Sequence, residues 1–370
     1  MSAQEPVKKQ RSGSAWSFRI ATIAGIPLRI HFTFLLFLFW IAMISQRGGG
    51  IWSVLVVSVF VCVVLHEFGH ALVARKFGVS TRDITLYPIG GVAVLEGRLK
   101  PRQELYVALA GPAVNVVIAV LLGVYIVGTE GRLPSLSLNL LRHGYLHGLF
   151  VANVVLVLFN MIPAFPMDGG RVLRSALGLR MPEERATQIA GTIGQGLAIA
   201  FGFYGILDQQ IILVLISFFV YIGAGQEMAT TRTLSFLQGH RVSEAMQTRY
   251  RTLESGMTLE AAANTLLAGS QHDFPVTFGD EVLGVLTRTD IARGLATEGP
   301  TGYVAGFMQR EYRSAAPDMP LEEALELFTV KDSTPVLVME DGKLTGMVTQ
   351  ENLSEFIMLE HARRQSRSHI

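Results

Sequence analysis

Along the first 230 positions, apolar residues gather in long, nearly unbroken runs, at 22–45, 51–74, 104–127, 145–163, 187–207 and 209–226. Each run is near the ~20 residues that carry a helix across a bilayer, so the pattern predicts six membrane spans. The separator Asp208-Gln209-Gln210 suits a tight turn between the last two; a shorter apolar pair dipping into the membrane is the alternative. From Ile84 to Leu95 the texture differs, with a short β-like stretch on each side of Gly90-Gly91. After about residue 227 the pattern becomes that of a soluble α/β protein, and it repeats. Val242…Met246-Gln247 returns as Val304…Met308-Gln309, Met257-Thr258-Leu259-Glu260 as Met319-Pro320-Leu321-Glu322, and Gly284-Val285-Leu286-Thr287 as Gly346-Met347-Val348-Thr349. Each half predicts helix, strand, strand, helix: Leu259 to Leu267, Phe274 to Thr277, Val282 to Thr287, and a helix from Asp290.

Composition agrees with a membrane domain carrying a soluble appendage. Of 370 residues, 50% are hydrophobic and 16% charged, too apolar for an ordinary soluble domain. Basic residues settle the orientation. Lys8, Lys9, Arg11 and Arg19 precede the first span; Arg75, Lys76, Arg82, Arg98, Lys100 and Arg102 lie between the second and third; Arg171, Arg174, Arg180 and Arg185 lie between the fourth and fifth. The alternate loops hold only Arg47, then Arg132 and Arg142, then none, so both termini are expected on the cytoplasmic side. The net charge of +1 and the lack of a basic patch with interleaved aromatics speak against direct nucleic-acid binding. One cysteine, Cys62, excludes a disulfide within the chain. The first apolar run lacks a small-residue cleavage site and reads as a retained span. Residues 1–17 and 364–370 are polar and expected to be mobile.

The chemistry concentrates in the second run, at His66-Glu67-Phe68-Gly69-His70. Histidines at i and i+4 share one helix face and can reach one Zn²⁺, while Glu67 starts beside them and can address water there. Ionisable groups at membrane depth are costly, and three in five residues ask for a shared partner. The plain alternative is a histidine pair satisfied by neighbouring helices. A hydrolytic zinc site wants a third protein ligand. Asp168 is the candidate, in Asn160-Met161-Ile162-Pro163-Ala164-Phe165-Pro166-Met167-Asp168-Gly169-Gly170, where prolines stop a helix, glycines free the backbone and the carboxylate can turn inward. An ordinary helix-ending turn would look similar. Zinc acidifies water and polarises a carbonyl, so peptide hydrolysis is the natural reaction, with Glu67 as general base and then acid.

These motifs together resemble the site-2 proteases, intramembrane zinc metalloproteases, of the type with cystathionine β-synthase (CBS) domains appended. The likeness runs from Ile26-Pro27-Leu28-Arg29-Ile30-His31 to the second repeat. It implies a polytopic α-helical membrane domain, with about six spans and a short membrane-associated β-hairpin, followed by an α/β tandem CBS module. It implies His66, His70 and Asp168 as ligands of one Zn²⁺, Glu67 as catalytic base, and a transmembrane segment of another protein as substrate. Asn160 and Pro163 match the family's helix-end motif, and Asn160 is expected to contact the substrate backbone or the tetrahedral intermediate. Ala110-Gly111-Pro112-Ala113-Val114-Asn115 resembles the third-span motif, which puts Asn115 among candidate substrate-binding residues; helix packing at Gly111, a kink at Pro112 and an interhelical bond from Asn115 are the alternative. Gly90 and Gly91 match the membrane-dipping β-loop, whose strand edge would hold the substrate extended. His31, His143 and His147 are expected to serve structural or interfacial roles, and Cys62 to be buried packing.

By the same resemblance the repeats form a CBS pair that binds ATP, ADP or AMP through a Thr with an Asp three residues later. Thr287 and Asp290 fit; the second repeat departs, with Thr349 and Asn352. A dimerisation module without ligand is the equal alternative. The expected domains are 1–17 (terminal arm), 18–227 (protease), 228–240 (linker), 241–299 and 300–363 (CBS repeats). Expected partners are a membrane-embedded protein, for example a tethered transcription or sigma factor, membrane lipid, and a second copy through the CBS repeats; the expected setting is a prokaryotic cell membrane. A CBS-gated transporter or channel is the reading from another class, although the membrane part lacks the internal repeat such proteins often carry.

Overall fold

The structure, a computed structural model, describes residues 16–45, 50–88, 90–136, 144–325, 327–328 and 334–367. The expectations for residues 1–15, Arg47, Arg142, His143 and 368–370 lie outside the described residues. The chain divides into two compact units at Thr231/Arg232.

The first unit opens with β1 (Ser17–Ile23) and β2 (Ile26–His31), then α1 (Phe32–Ser45), α2 (Ile51–Lys76), β3 (Ser80–Tyr87), β4 (Gly90–Glu96), α3 (Pro101–Glu130), α4 (Tyr145–Asn160), α5 (Asp168–Gly178), α6 (Glu183–Leu207) and α7 (Ile211–Leu237). The start of the first expected span is therefore corrected: residues 22–31 are strand and turn, and the helix begins at Phe32. The reason is visible in Ser-Phe-Arg-Ile-Ala-Thr-Ile and Ile-Pro-Leu-Arg-Ile-His, whose polar interruptions suit a pleat. Ala24 and Gly25, both at positive φ (51° and 83°), make the two-residue connection that matches strand twist.

The four strands form one sheet in the order β1-β2-β3-β4. β2 and β3 run parallel, with Leu28 opposite Ile84, and β3 and β4 form the expected hairpin, with Leu86 opposite Gly91. Its buried face, Ile26, Leu28, Ile84 and Leu86, packs with Phe34 of α1 and with Phe68 and Ala71 of α2. Phe68 lies within the histidine motif and Ala71 directly follows it, so the sheet lies against the part of α2 that carries it.

Among the described residues four helices, α2, α3, α6 and α7, are long and apolar enough to cross a membrane. Their outward residues, such as Val117, Val120, Leu121 and Val124 on α3 and Ile212, Leu215 and Phe218 on α7, are large, apolar and exposed, which suits lipid as solvent. The expected first and fourth spans are shorter. At 14 and 16 residues, α1 and α4 measure about 21 and 24 Å at ~1.5 Å per residue, below the ~30 Å hydrocarbon core. Asp208 to Gln210 form the expected tight turn, with Gln209 at φ 54° and the Gln210 N–H donating to the Gly205 carbonyl (2.8 Å). Helix α7 continues to Leu237 through most of the segment expected as a linker.

The second unit follows with α8 (Val242–Ala245), β5 (Leu253–Glu254), α9 (Leu259–Leu267), β6 (Asp273–Phe278), β7 (Glu281–Thr287), α10 (Arg288–Thr297), α11 (Val304–Phe307), β8 (Arg313–Ala315), α12 (Leu321–Leu325), β9 (Val336–Glu340), β10 (Lys343–Val348) and α13 (Gln350–Arg367). Its two three-stranded sheets, β5-β6-β7 and β8-β9-β10, have the same topology, one parallel and one antiparallel pair each. The repeats exchange their leading segments. The N–H of Val242 donates to the Met319 carbonyl (3.0 Å), and that of Val304 to the Met257 carbonyl (2.9 Å). Val242 is accordingly buried with second-repeat residues such as Leu321 and Val348, and Val304 with first-repeat residues such as Phe274 and Leu286.

Candidate metal centre and active site

Helix α2 puts His66 and His70 on one face, and their Nε2 atoms stand 3.0 Å apart. Asp168 arrives from a distant part of the chain, as the first residue of α5. Its Oδ2 lies 3.1 Å from His66 Nε2 and 3.2 Å from His70 Nε2. All three residues are buried, between 6% and 8% exposed, and one ligand atom from each lies within 4.8 Å of the others.

The local sequence explains how Asp168 gets there. After α4 ends at Asn160, residues 161–167 fold back on themselves, with the Ala164 N–H donating to the Ile162 carbonyl and that of Met167 to the Ala164 carbonyl (2.7 and 3.0 Å). Gly169 and Gly170 lie inside α5, and the freedom they give the backbone is that of close approach. A Cβ on Gly169 would stand 2.3 Å from the Ile162 carbonyl oxygen, and one on Gly170 2.7 Å from Phe165 N. Farther along α5, Arg174 pairs with Glu104 of α3 and Glu227 of α7 and lies over the Phe165 ring, while Ser175 donates to Glu104 (2.9 Å). This half-buried cluster ties the Asp168 helix to two long helices.

The donor set fits a divalent cation such as zinc. His66 Nδ1 is 2.6 Å from Asn115 Oδ1, and His70 Nδ1 is 2.6 Å from the Val107 carbonyl oxygen. A ring nitrogen facing an oxygen acceptor carries the proton, so both Nε2 atoms present lone pairs. Two lone pairs and a carboxylate oxygen then converge in a buried space, an arrangement that requires a positive charge at its centre. The donor atoms are left unobstructed because residue 111 on α3 is glycine: a Cβ there would stand 2.2 Å from His70 Nε2 and 2.6 Å from His66 Nε2.

Glu67 is half-buried and faces β4, since a Cβ on Gly91 would stand 2.6 Å from Glu67 Cγ. The hairpin thus brings the edge strand of the sheet beside this carboxyl group, with Gly90 at its start. Asn160, half-buried, donates Nδ2 to the Leu156 carbonyl (3.0 Å), and Pro163 is exposed. Asn115 is placed differently from a substrate contact: it has no exposed surface, and its Nδ2 donates to Asn153 Oδ1 (2.8 Å) while its Oδ1 faces His66. Cys62 is buried with Sγ 3.5 Å from Asn153 Nδ2. His31 stacks on Tyr87 (centroids 4.9 Å apart) and His147 lies 3.6 Å from Glu130.

The description "Peptidase family M50" matches residues 54–143 and 134–201, and "CBS domain" matches 242–297 and 304–359. A zinc metalloprotease of Methanocaldococcus jannaschii is 33% identical over 339 residues, spanning 91% of this chain and 95% of the relative. The chain belongs to peptidase family M50, the site-2 proteases. A solved site-2 protease from the same organism is 42% identical and covers 58% of this chain and 95% of its own, with a TM-score of 0.45. This M50 member is a zinc metalloprotease with a membrane domain and a tandem CBS module.

Sequence reasoning missed Asn153 and the N-terminal strands. Asn153 carried a signal, a lone amide inside the apolar run 145–163, because polar groups at membrane depth seldom go unused. In the CBS repeats, Thr287 and Asp290 cap α10 reciprocally: the Thr287 hydroxyl donates to Asp290 Oδ2 (2.7 Å) and accepts from the Asp290 N–H (3.2 Å). Asp290 also accepts from Arg293 (2.6 Å) and Gln309 (2.9 Å). Thr349 and Asn352 repeat the cap on α13, with the Thr349 hydroxyl 2.9 Å from Asn352 Oδ1.

Proposed function

We propose that this M50 protease hydrolyses a peptide bond in or near a transmembrane segment of another protein, at a site built from His66, His70, Asp168 and Glu67. The observation that carries the reading is the convergence of two Nε2 lone pairs and the Asp168 carboxylate, both other ring nitrogens being held by oxygen acceptors. His66, His70 and Asp168 hold one Zn²⁺. When bound, zinc supplies Lewis acidity, polarising the scissile carbonyl and acidifying water. Glu67 accepts the proton of the attacking water at its carboxylate and delivers it to the leaving amine. The edge of β4 at Gly90 and Gly91 takes an unwound substrate segment as an added strand next to Glu67. Asn160, with Nδ2 committed to Leu156, offers its side-chain oxygen to a substrate amide, and Pro163 borders that position.

We propose six crossings within residues 18–227, with α1 and α4 short enough to draw the bilayer thinner around them. The basic residues on alternate loops support cytoplasmic termini in a prokaryotic cell membrane, with cleavage near the cytoplasmic face releasing a fragment such as a tethered transcription or sigma factor. The repeats at 241–299 and 300–363, reached through 228–240, regulate cleavage by binding an adenine nucleotide or by pairing with a second copy. A nucleotide that uses Asp290 shares its carboxylate with Arg293 and Gln309 or displaces them. Calorimetry with ATP, ADP and AMP on the purified protein tests that branch; no heat with any of them removes it.

The decisive experiment compares membrane proteins by mass spectrometry in cells carrying the parent chain or Glu67→Gln. The variant is expected to keep zinc and to lose a fragment that the parent generates. The same fragment in both would sink the assignment of Glu67.

A further inference from the structure

We propose that Asn115 and Asn153 form a two-amide relay that fixes His66 in its metal-binding tautomer, a role that rests on the zinc site above. The polarity of the relay is set at its far end. Asn153 Nδ2 donates to the Leu149 carbonyl (2.8 Å) and also lies 3.5 Å from Cys62 Sγ. The Leu149 carbonyl can only accept, so the Asn153 amide nitrogen is confined there and its Oδ1 faces Asn115. That oxygen accepts from Asn115 Nδ2 (2.8 Å), which turns Asn115 Oδ1 toward His66 Nδ1 (2.6 Å). His66 Nδ1 must therefore hold the proton, and Nε2 is left unprotonated.

His70 reaches the same state in one step, through the Val107 backbone carbonyl. A backbone carbonyl in a helix cannot turn over, whereas a side-chain amide can rotate by half a turn at no covalent cost. With its NH₂ toward His66, Asn115 would demand an acceptor at Nδ1 and put a proton on Nε2, where the metal binds. Neither asparagine has exposed surface, so water does not substitute for the missing partner. The relay joins α2, α3 and α4, and both asparagines are positioning residues.

The test uses the full chain in detergent, with the zinc dissociation constant measured against a chromophoric chelator and the visible spectrum recorded after Co²⁺ loading. Asn115→Leu and Asn153→Leu are expected to bind zinc about 10–100-fold more weakly, with altered cobalt bands. Asn115→Asp, whose ionised carboxylate has no donor end, leaves Asn153 Oδ1 facing a second acceptor when made alone; combined with Asn153→Leu, which removes that oxygen, it is expected to restore zinc binding. A merely structural Asn153 would not be rescued in this way. Parental affinity in Asn153→Leu, or a defect that persists in the double variant, would overturn the relay. If Asn153→Leu does not accumulate in membranes, Asn153→Ala, which removes the amide without adding bulk, supplies the same comparison. A parent chain that binds no zinc would overturn the metal site itself, an outcome distinct from failure of the relay alone.

Discussion

Gly111 is the position where the smallest possible change should destroy the site. Replacing its hydrogen by a methyl group would set a carbon 2.2 Å from His70 Nε2, 2.5 Å from His70 Cε1 and 2.6 Å from His66 Nε2. Non-bonded heavy atoms settle at ~3.5 Å, so both imidazoles must retreat by about 1 Å or α3 must move away. Metal–ligand distances tolerate about ±0.2 Å, several times less than that retreat. Gly111→Ala is therefore expected to weaken zinc binding at least ~100-fold and to abolish cleavage, since a 1 Å misplacement alone costs about that factor in rate. Overpacking should also cost ~1–3 kcal/mol of stability, a loss small enough to leave the fold. The assay is zinc content and chelator competition on purified protein, beside helical circular dichroism. Gly128→Ala on the same helix is the control: nothing stands within 4 Å of its Cβ, so zinc should be unaffected. Stoichiometric zinc and parental turnover in Gly111→Ala would refute the geometry of the centre.

Gly91→Ala puts a Cβ 2.6 Å from Glu67 Cγ and should lower kcat ~10-fold or more with zinc retained, which metal analysis beside kinetics will show. Gly284→Ala drives a Cβ to 2.3 Å from the Gln309 carbonyl oxygen and should destabilise the CBS module by ~1–3 kcal/mol without altering zinc content, read as an earlier melting transition. Burial pushes the Asp273 carboxyl above its ordinary range, although the Arg288 backbone N–H opposes the shift. The folded chain then binds this proton more tightly than the unfolded one, so the group subtracts stability as pH rises above ~3.9. Asn keeps the acceptor, and Asp273→Asn should raise the module's melting temperature at pH 7 with a gain that shrinks toward pH 3.5; a gain independent of pH would contradict this.

The histidine pair and Asp168 were legible because each carries chemistry that a membrane helix or a polar turn would not otherwise keep. The hairpin at Gly90-Gly91 was legible from β-like runs, and the exchanged repeats were foreshadowed by Gly284 and Gly346 recurring in register. Their reason is now physical: each glycine sits where the other repeat's backbone passes, Gln309 over Gly284 and Gln247 over Gly346. Residues 17–31 were obscured because an apolar strand and the start of an apolar helix look alike when they abut, as at His31-Phe32. Asn115 stayed open between substrate contact and interhelical bond for a different reason. Spacing shows that an amide lies on a helix, but its partner 38 positions away appears only when α3 and α4 pack.

The crossing-over of Val242 and Val304 has a consequence for how the tail is built and lost. Neither repeat owns a closed interior; each is plugged by a segment that the other's half of the chain supplies. Cutting the gene between the halves would leave two open cups, not one domain fewer, and the pair should unfold in a single step as one cooperative body.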